Sequence, residues 1–180
     1  GLDADLIMLS LNHMKYCNNI YLFRETPHFI KSLDNSLDPN EKYLININEL
    51  ANEICIELLD NNTNISKEVY YNKIEDYIFI CFLLGNDFMP HFPAVNIRIN
   101  GFIILLELYK KLFTKDKFLT QNNNIVWNNF RLYIKNLAEN EYDFLKEIYT
   151  IREKQSKKYF PETNDNEKEL KFVSMPTWDR

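Results

Sequence analysis

The chain has 180 residues, 46% of them hydrophobic and 26% charged, close to globular averages and enough to build a core for one ordinary domain or two small ones. With only 3 glycines and 14% aromatic residues, a turn-rich β-barrel or sandwich is disfavoured against helices with short strands. A formal net charge of −5 gives no electrostatic footprint of a nucleic-acid binder, and the longest apolar run, Tyr77 to Leu84, is far short of a membrane span.

In chain order, Gly1-Leu2-Asp3-Ala4-Asp5 reads as the end of a buried strand. Leu6 to Leu11 follows as a short helix with Asp5 at its N-cap, where a carboxylate accepts from free N–H groups. Ile20 to Arg24 is rich in β-formers and predicts a strand, Ser32 to Lys42 a loop, and Tyr43 to Ile47 another short strand. From Ile47, the apolar positions Leu50, Ala51, Ile54 and Leu58 recur at helical spacing, and Asp60 to Asn64 closes that helix.

Ser66 to Leu84 predicts a second long helix whose final half is apolar on all sides, so it belongs in the core, with Gly85 as its C-terminal cap. The loop Asn86 to Asn96 carries Pro90 and Pro93. A helix over about Asn100 to Phe113 follows, then a polar turn at Gln121 to Asn124. Two more helices cover Trp127 to Leu137 and Glu139 to Lys158. Pro161 to Glu169 reads as an exposed connector, and Leu170 to Arg180 shows no clear periodicity. The expected class is α/β, mostly helical.

Cys17, Cys55 and Cys81 are odd in number and far apart, which suggests neither a zinc site nor a disulfide framework and fits a reducing, intracellular compartment, cytoplasmic or nuclear. No signal peptide is visible and the chain does not begin with Met.

The chemistry centres on three aspartates. Asp3 and Asp5, at i and i+2 of a strand end, would point to one side, and two carboxylates so held need a cation such as Mg2+ between them. Asp87 sits between Gly85 and Pro90 at the mouth of the core, where a loop side chain is aimed rigidly. Each has an ordinary alternative: Asp5 a helix cap, Asp3 a surface acid, Asp87 a turn residue satisfying local backbone groups. His91 either orients Asp87 and a metal-bound water or bonds the loop backbone, and Asn86 either orients Asp87 or shapes the turn. Lys110, Lys111, Lys115 and Lys117 with Phe113 and Phe118 form a basic, aromatic stretch. It is a candidate for tracking a nucleic-acid strand, against the alternative of a solvated helix face with aromatics packed inward. No Ser-His-Asp or Cys-His arrangement and no Gly-rich phosphate loop is visible.

Together, Gly-Leu-Asp-Ala-Asp-Leu-Ile-Met-Leu (Gly1 to Leu9) and Cys-Phe-Leu-Leu-Gly-Asn-Asp-Phe-Met-Pro-His-Phe-Pro (Cys81 to Pro93) resemble two signature blocks of the Xrn 5′→3′ exoribonucleases, in the family's order. Ile97 to Gly101 and Leu106 to Lys110 resemble it too, whereas Ser32 to Asn64 and the chain after about Lys115 resemble it weakly.

The resemblance implies a remnant of a PIN and flap-endonuclease-like parallel-sheet core followed by a helical region, divided as residues 1–65 of the nuclease domain and 66–180 of the helical domain. It implies that Asp3, Asp5 and Asp87 hold the second of two divalent ions, Mg2+ or Mn2+. Single-stranded RNA with a 5′-monophosphate would be degraded to mononucleotides, with no membrane involved. The family's other metal ligands and its basic phosphate pocket lie before the first block. The family often has Gly where this chain has Ser10. The expectation is therefore an internal fragment of a longer enzyme, inactive alone. The alternatives are a non-catalytic helical module that binds RNA or protein, and a structure-selective DNA nuclease of the wider group.

Overall fold

The structure, a computed structural model, describes residues 4–17, 19–23, 34–38, 40–59, 64–97, 100–159 and 163–174. Helix α1 spans Asp5–His13. The run Leu6-Ile7-Met8-Leu9 favours helix strongly enough that winding begins one residue earlier than expected. Ala4, with φ −66 and ψ −25, holds the N-cap position without a side-chain bond, and Asp5 lies in the first turn. The reading of Asp5 as N-cap, and of Ala4 and Asp5 as a strand end, is therefore corrected. The carboxylate of Asp5 still sits where the helix dipole favours an anion. Asp3, with the rest of the expected strand end, lies outside the described residues.

β1 (Tyr21–Phe23) and β2 (Leu44–Asn46) pair antiparallel in the register Tyr21↔Asn46, Leu22↔Ile45, Phe23↔Leu44. β2 runs straight into α2 (Ile47–Leu58), because the Asn46 side chain caps it, accepting from Asn48 N at 3.1 Å and Glu49 N at 3.4 Å. The helical spacing of α2 puts Ile47, Ala51, Ile54, Cys55 and Leu58 on one buried face. α3 (Lys67–Phe82) starts at Ser66, whose hydroxyl accepts from Val69 N at 3.3 Å.

α4 (Gly101–Leu112) packs on α2 and α3. Gly101 is required at its start, since a Cβ there would lie 2.6 Å from Asn96 O. The expected polar turn after α4 is the tip of a hairpin: β3 (Thr120–Gln121) pairs antiparallel with β4 (Asn124–Ile125). Asn122 and Asn123, at φ 50 and 60, are both left-handed, as a tight two-residue turn of the hairpin type requires. α5 (Trp127–Ala138) returns over α4, and the buried Tyr133 hydroxyl donates to Leu105 O at 2.7 Å.

One core joins these elements, from Leu11 and Met14 through Ile54 and Leu58 to Ile74, Leu105, Tyr109 and Tyr133, so it is continuous across residue 65. α6 (Glu141–Tyr159) follows, with Ile148 buried. Where an exposed connector was expected, the structure has α7 (Asp165–Ser174). Its start is tied by Asn164 Oδ1, which accepts from Glu167 N at 2.9 Å, while Glu167 Oε2 accepts from Thr163 N and Oγ1, both at 2.9 Å. That reciprocal cap turns a polar, charged segment into a helix.

Among the described residues the fold is thus mostly helical, with two small sheets, both antiparallel. A parallel-sheet remnant is not among the described residues. Nor is any helix among them long and apolar enough to cross a membrane.

Candidate functional site

The turn after α3 is built by three residues. Leu83 N and Gly85 N donate to Ile80 O at 3.0 Å and Phe82 O at 3.1 Å, winding the chain past the helix end. Gly85 then takes φ +81, and a Cβ there would sit 2.6 Å from His91 N, so conformation and space both demand glycine. Asn86 closes the turn: its Oδ1 accepts from Phe88 N at 2.9 Å and Met89 N at 2.8 Å, and its own N–H donates to Met89 O at 2.9 Å. Asn86 Oδ1 therefore shapes the turn. The His91 ring bonds the loop backbone, donating from Nδ1 to Phe92 O at 2.8 Å.

α1 lies against α3, which brings Asp5 to this turn. Asp5 and Asn86 both line two cavities of about 440 and 360 Å³ that share Met8 and Phe82 as walls. Asp87, the next residue along, is exposed and lines neither. The oxygen donors of Asp5 and Asp87 suit a hard divalent cation, which takes one or two carboxylates and completes its shell with water and phosphate. Among the described residues, however, no three His, Cys, Asp or Glu side chains stand close enough to hold a metal. Cys81 lines the larger cavity, but burial pushes its thiol up to about 12, so it is no nucleophile at neutral pH.

The basic stretch is engaged with the protein. Lys110 Nζ binds Glu57 at 2.8 Å and Glu107 at 3.1 Å, and Lys115 Nζ donates to Asn64 O at 2.7 Å. Phe113 is buried and stacked on Tyr109 at 5.2 Å, and Phe118 faces the Lys73 ammonium. Of the two candidate nucleic-acid contacts, Lys111 alone stands exposed without such a tie.

The sequence reading missed a buried polar network on α3. Lys73 and Asp76 are both fully buried. Lys73 Nζ donates to Tyr109 Oη at 2.8 Å, Thr114 O at 2.9 Å and Lys117 O at 3.1 Å, using its three protons. Tyr109 Oη passes the chain on, donating to Asp76 Oδ2 at 2.5 Å. Asp76 also accepts from Leu119 N at 2.9 Å, and from Thr120 N and Thr120 Oγ1, both at 2.7 Å. Burial lowers the Lys73 ammonium to about 8 against the pull of Asp76, and raises the Asp76 carboxyl against its four hydrogen bonds. A lysine and an aspartate three residues apart, just before the apolar run Tyr77 to Phe82, were the signal for it.

Comparison with known proteins gives the family context. The family model described as the Xrn1 helical domain matches residues 69–177. The 5′-3′ exoribonuclease 2 of Arabidopsis thaliana is 27% identical over 88% of this chain and 18% of its own length. That of Kluyveromyces lactis is 29% identical over 95% of this chain and 18% of its own. The 5′-3′ exoribonuclease 1 of Saccharomyces cerevisiae is 30% identical over 72% of this chain and 9% of its own. The chain thus spans under a fifth of the length of these relatives.

Proposed function

The chain belongs to the Xrn1 helical domain family, and on that footing we propose that it is part of a metal-dependent 5′→3′ exoribonuclease acting on single-stranded RNA with a 5′-monophosphate. Residues 1–65 would continue the nuclease domain and 66–180 begin the helical domain. Asp3, Asp5 and Asp87 would hold a divalent ion, Mg2+ or Mn2+, which supplies charge neutralisation at the phosphodiester being cut. The observation that carries this reading is the meeting of Asp5 with the Gly85–Asn86 turn across residues far apart in sequence. That meeting is made by protein packing alone, with α3 as the rigid arm and Gly85 and Asn86 as its fixed wrist. Asp87 stays exposed and able to reach substrate.

The three aspartates would hold one ion, half of what a two-metal hydrolysis needs, since such sites clamp both the attacking and the leaving oxygen. The 180-residue chain by itself is therefore expected to be inactive, with activity residing in the product of the complete reading frame. The test is release of mononucleotides from RNA bearing a 5′-monophosphate or a 5′-hydroxyl. The full product should degrade the former in Mg2+ and the chain alone should degrade neither. Efficient cleavage by the isolated chain would overturn the half-site reading. No cleavage by the full product would favour a helical module that only binds RNA or protein.

A further inference from the structure

α3 is the helix every neighbour touches: α1, α2, α4 and β3 all pack on it. From Tyr77 to Phe82 it carries no charged residue. Ile74, Ile78 and Ile80 are buried, and Tyr77, Phe79 and Phe82 pack half-buried against the same core. Each rotation of such a helix about its axis buries a similar apolar area, so hydrophobicity alone does not choose one. The choice needs directional bonds. Tyr70 Oη donates to Asn52 Oδ1, Tyr71 Oη to Met14 O, and Glu75 pairs with Lys15, all exposed or half-buried; the fully buried bonds of α3 lie at one place. Lys73 and Asp76 reach through Tyr109 Oη to α4, and through the backbone of Thr114, Lys117, Leu119 and Thr120 to the strand-leading loop. A buried ionic network of this kind is seldom kept for stability, because apolar residues of equal volume do as well. Its best-attested use is to specify register.

We infer that the Lys73–Tyr109–Asp76 network fixes the rotation of α3 and thereby the placement of the Gly85–Asp87 turn against Asp5. Fewer than two helical turns separate Asp76 from Phe82. Beyond Phe82 the chain is locked by the Gly85 backbone and the Asn86 side chain, so a rotation at Asp76 is carried to Asp87. The three are positioning residues and touch no substrate. Their functional consequence rests on the reading of the aspartates given above.

The test compares Tyr109→Phe, which removes the bridging hydroxyl and keeps the ring, with a core truncation in α2. Ile54→Val or Leu58→Ala is chosen to match its loss of thermal midpoint. In the 180-residue chain, Tyr109→Phe should speed amide exchange over residues 83–92 severalfold more than the matched control does. In the product of the complete reading frame, it should raise the Mg2+ concentration for half-maximal nucleotide release severalfold, while the control leaves it in place. Asp76→Asn, which keeps the side-chain shape, should do the same to a lesser degree. Equal exchange in variant and control would overturn the inference. Were the wild-type product inactive, the reading of the site would fail, while the exchange comparison would still decide the register claim.

Discussion

At the scale of single residues, backbone conformation is the strictest demand. Gly85 combines a left-handed torsion with a Cβ position 2.6 Å from a backbone nitrogen. A left-handed non-glycine residue costs about 1–2 kcal/mol before any clash is counted. Gly85→Ala should therefore lower the thermal midpoint of the chain by several degrees, which calorimetry reads directly; an unchanged midpoint would contradict the geometry. Lys73 carries a different kind of constraint. Its folded-state ammonium is lowered to about 8 by burial, against 10.5 for an exposed lysine. Between those values the unfolded chain binds more protons at this site than the folded one, so the Lys73 contribution to stability rises as pH increases through that window. Lys73→Met strands the Asp76 carboxylate without its cation, at a cost of about 3–5 kcal/mol. Denaturant titrations from pH 8 to 10.5 should show the gap between wild type and variant widening; a gap that narrows would refute the sign. Asp87, Asn86 and Gly85 could be singled out in the sequence because a helix-ending glycine and an Asn-Asp pair announce a turn. That Asn86 and His91 spend their hydrogen bonds on the loop backbone is a matter of local geometry, which residue type alone leaves open.

At the scale of elements, most helices were legible because their apolar positions recur at helical spacing and their caps are written in residue type. Asn46 and Ser66 begin α2 and α3 in this way. The exceptions have physical reasons. Helix propensity in Leu6 to Leu9 outcompeted the capping preference of Asp5, so α1 begins a residue early. α7 lacks a clear apolar stripe and depends on its cap, in which Asn164 Oδ1 accepts from Glu167 N and Glu167 Oε2 accepts from Thr163, bonds that periodicity does not register. Asn164→Ala should cost that helix about 1 kcal/mol, seen as faster amide exchange over residues 166–170 with the core unaffected. Protection equal to wild type there would remove the cap from the account. The Lys73–Asp76 network escaped notice because its partners, Tyr109 and the backbone from Thr114 to Thr120, are 33 to 44 residues away in sequence.

At the scale of the whole molecule, the two acidic blocks near Gly1 and Gly85 were legible as belonging together, and the structure brings Asp5 of the first to Asn86 of the second. The mostly helical class was legible too. The parallel sheet implied by family resemblance is not among the described residues, whose strands pair antiparallel in two small sheets. Family membership rests on a match across residues 69–177, while the aspartate assignment is a proposal that rests on the resemblance of the two acidic blocks. The most direct measurement is therefore made on Asp87 within the product of the complete reading frame, at saturating Mg2+ and with 5′-monophosphorylated RNA. On the proposed role of Asp87 in holding the cation that would neutralise charge at the phosphodiester, Asp87→Ala should slow mononucleotide release on the order of a hundredfold or more, with the fold intact by thermal midpoint. Turnover equal to wild type would contradict the account.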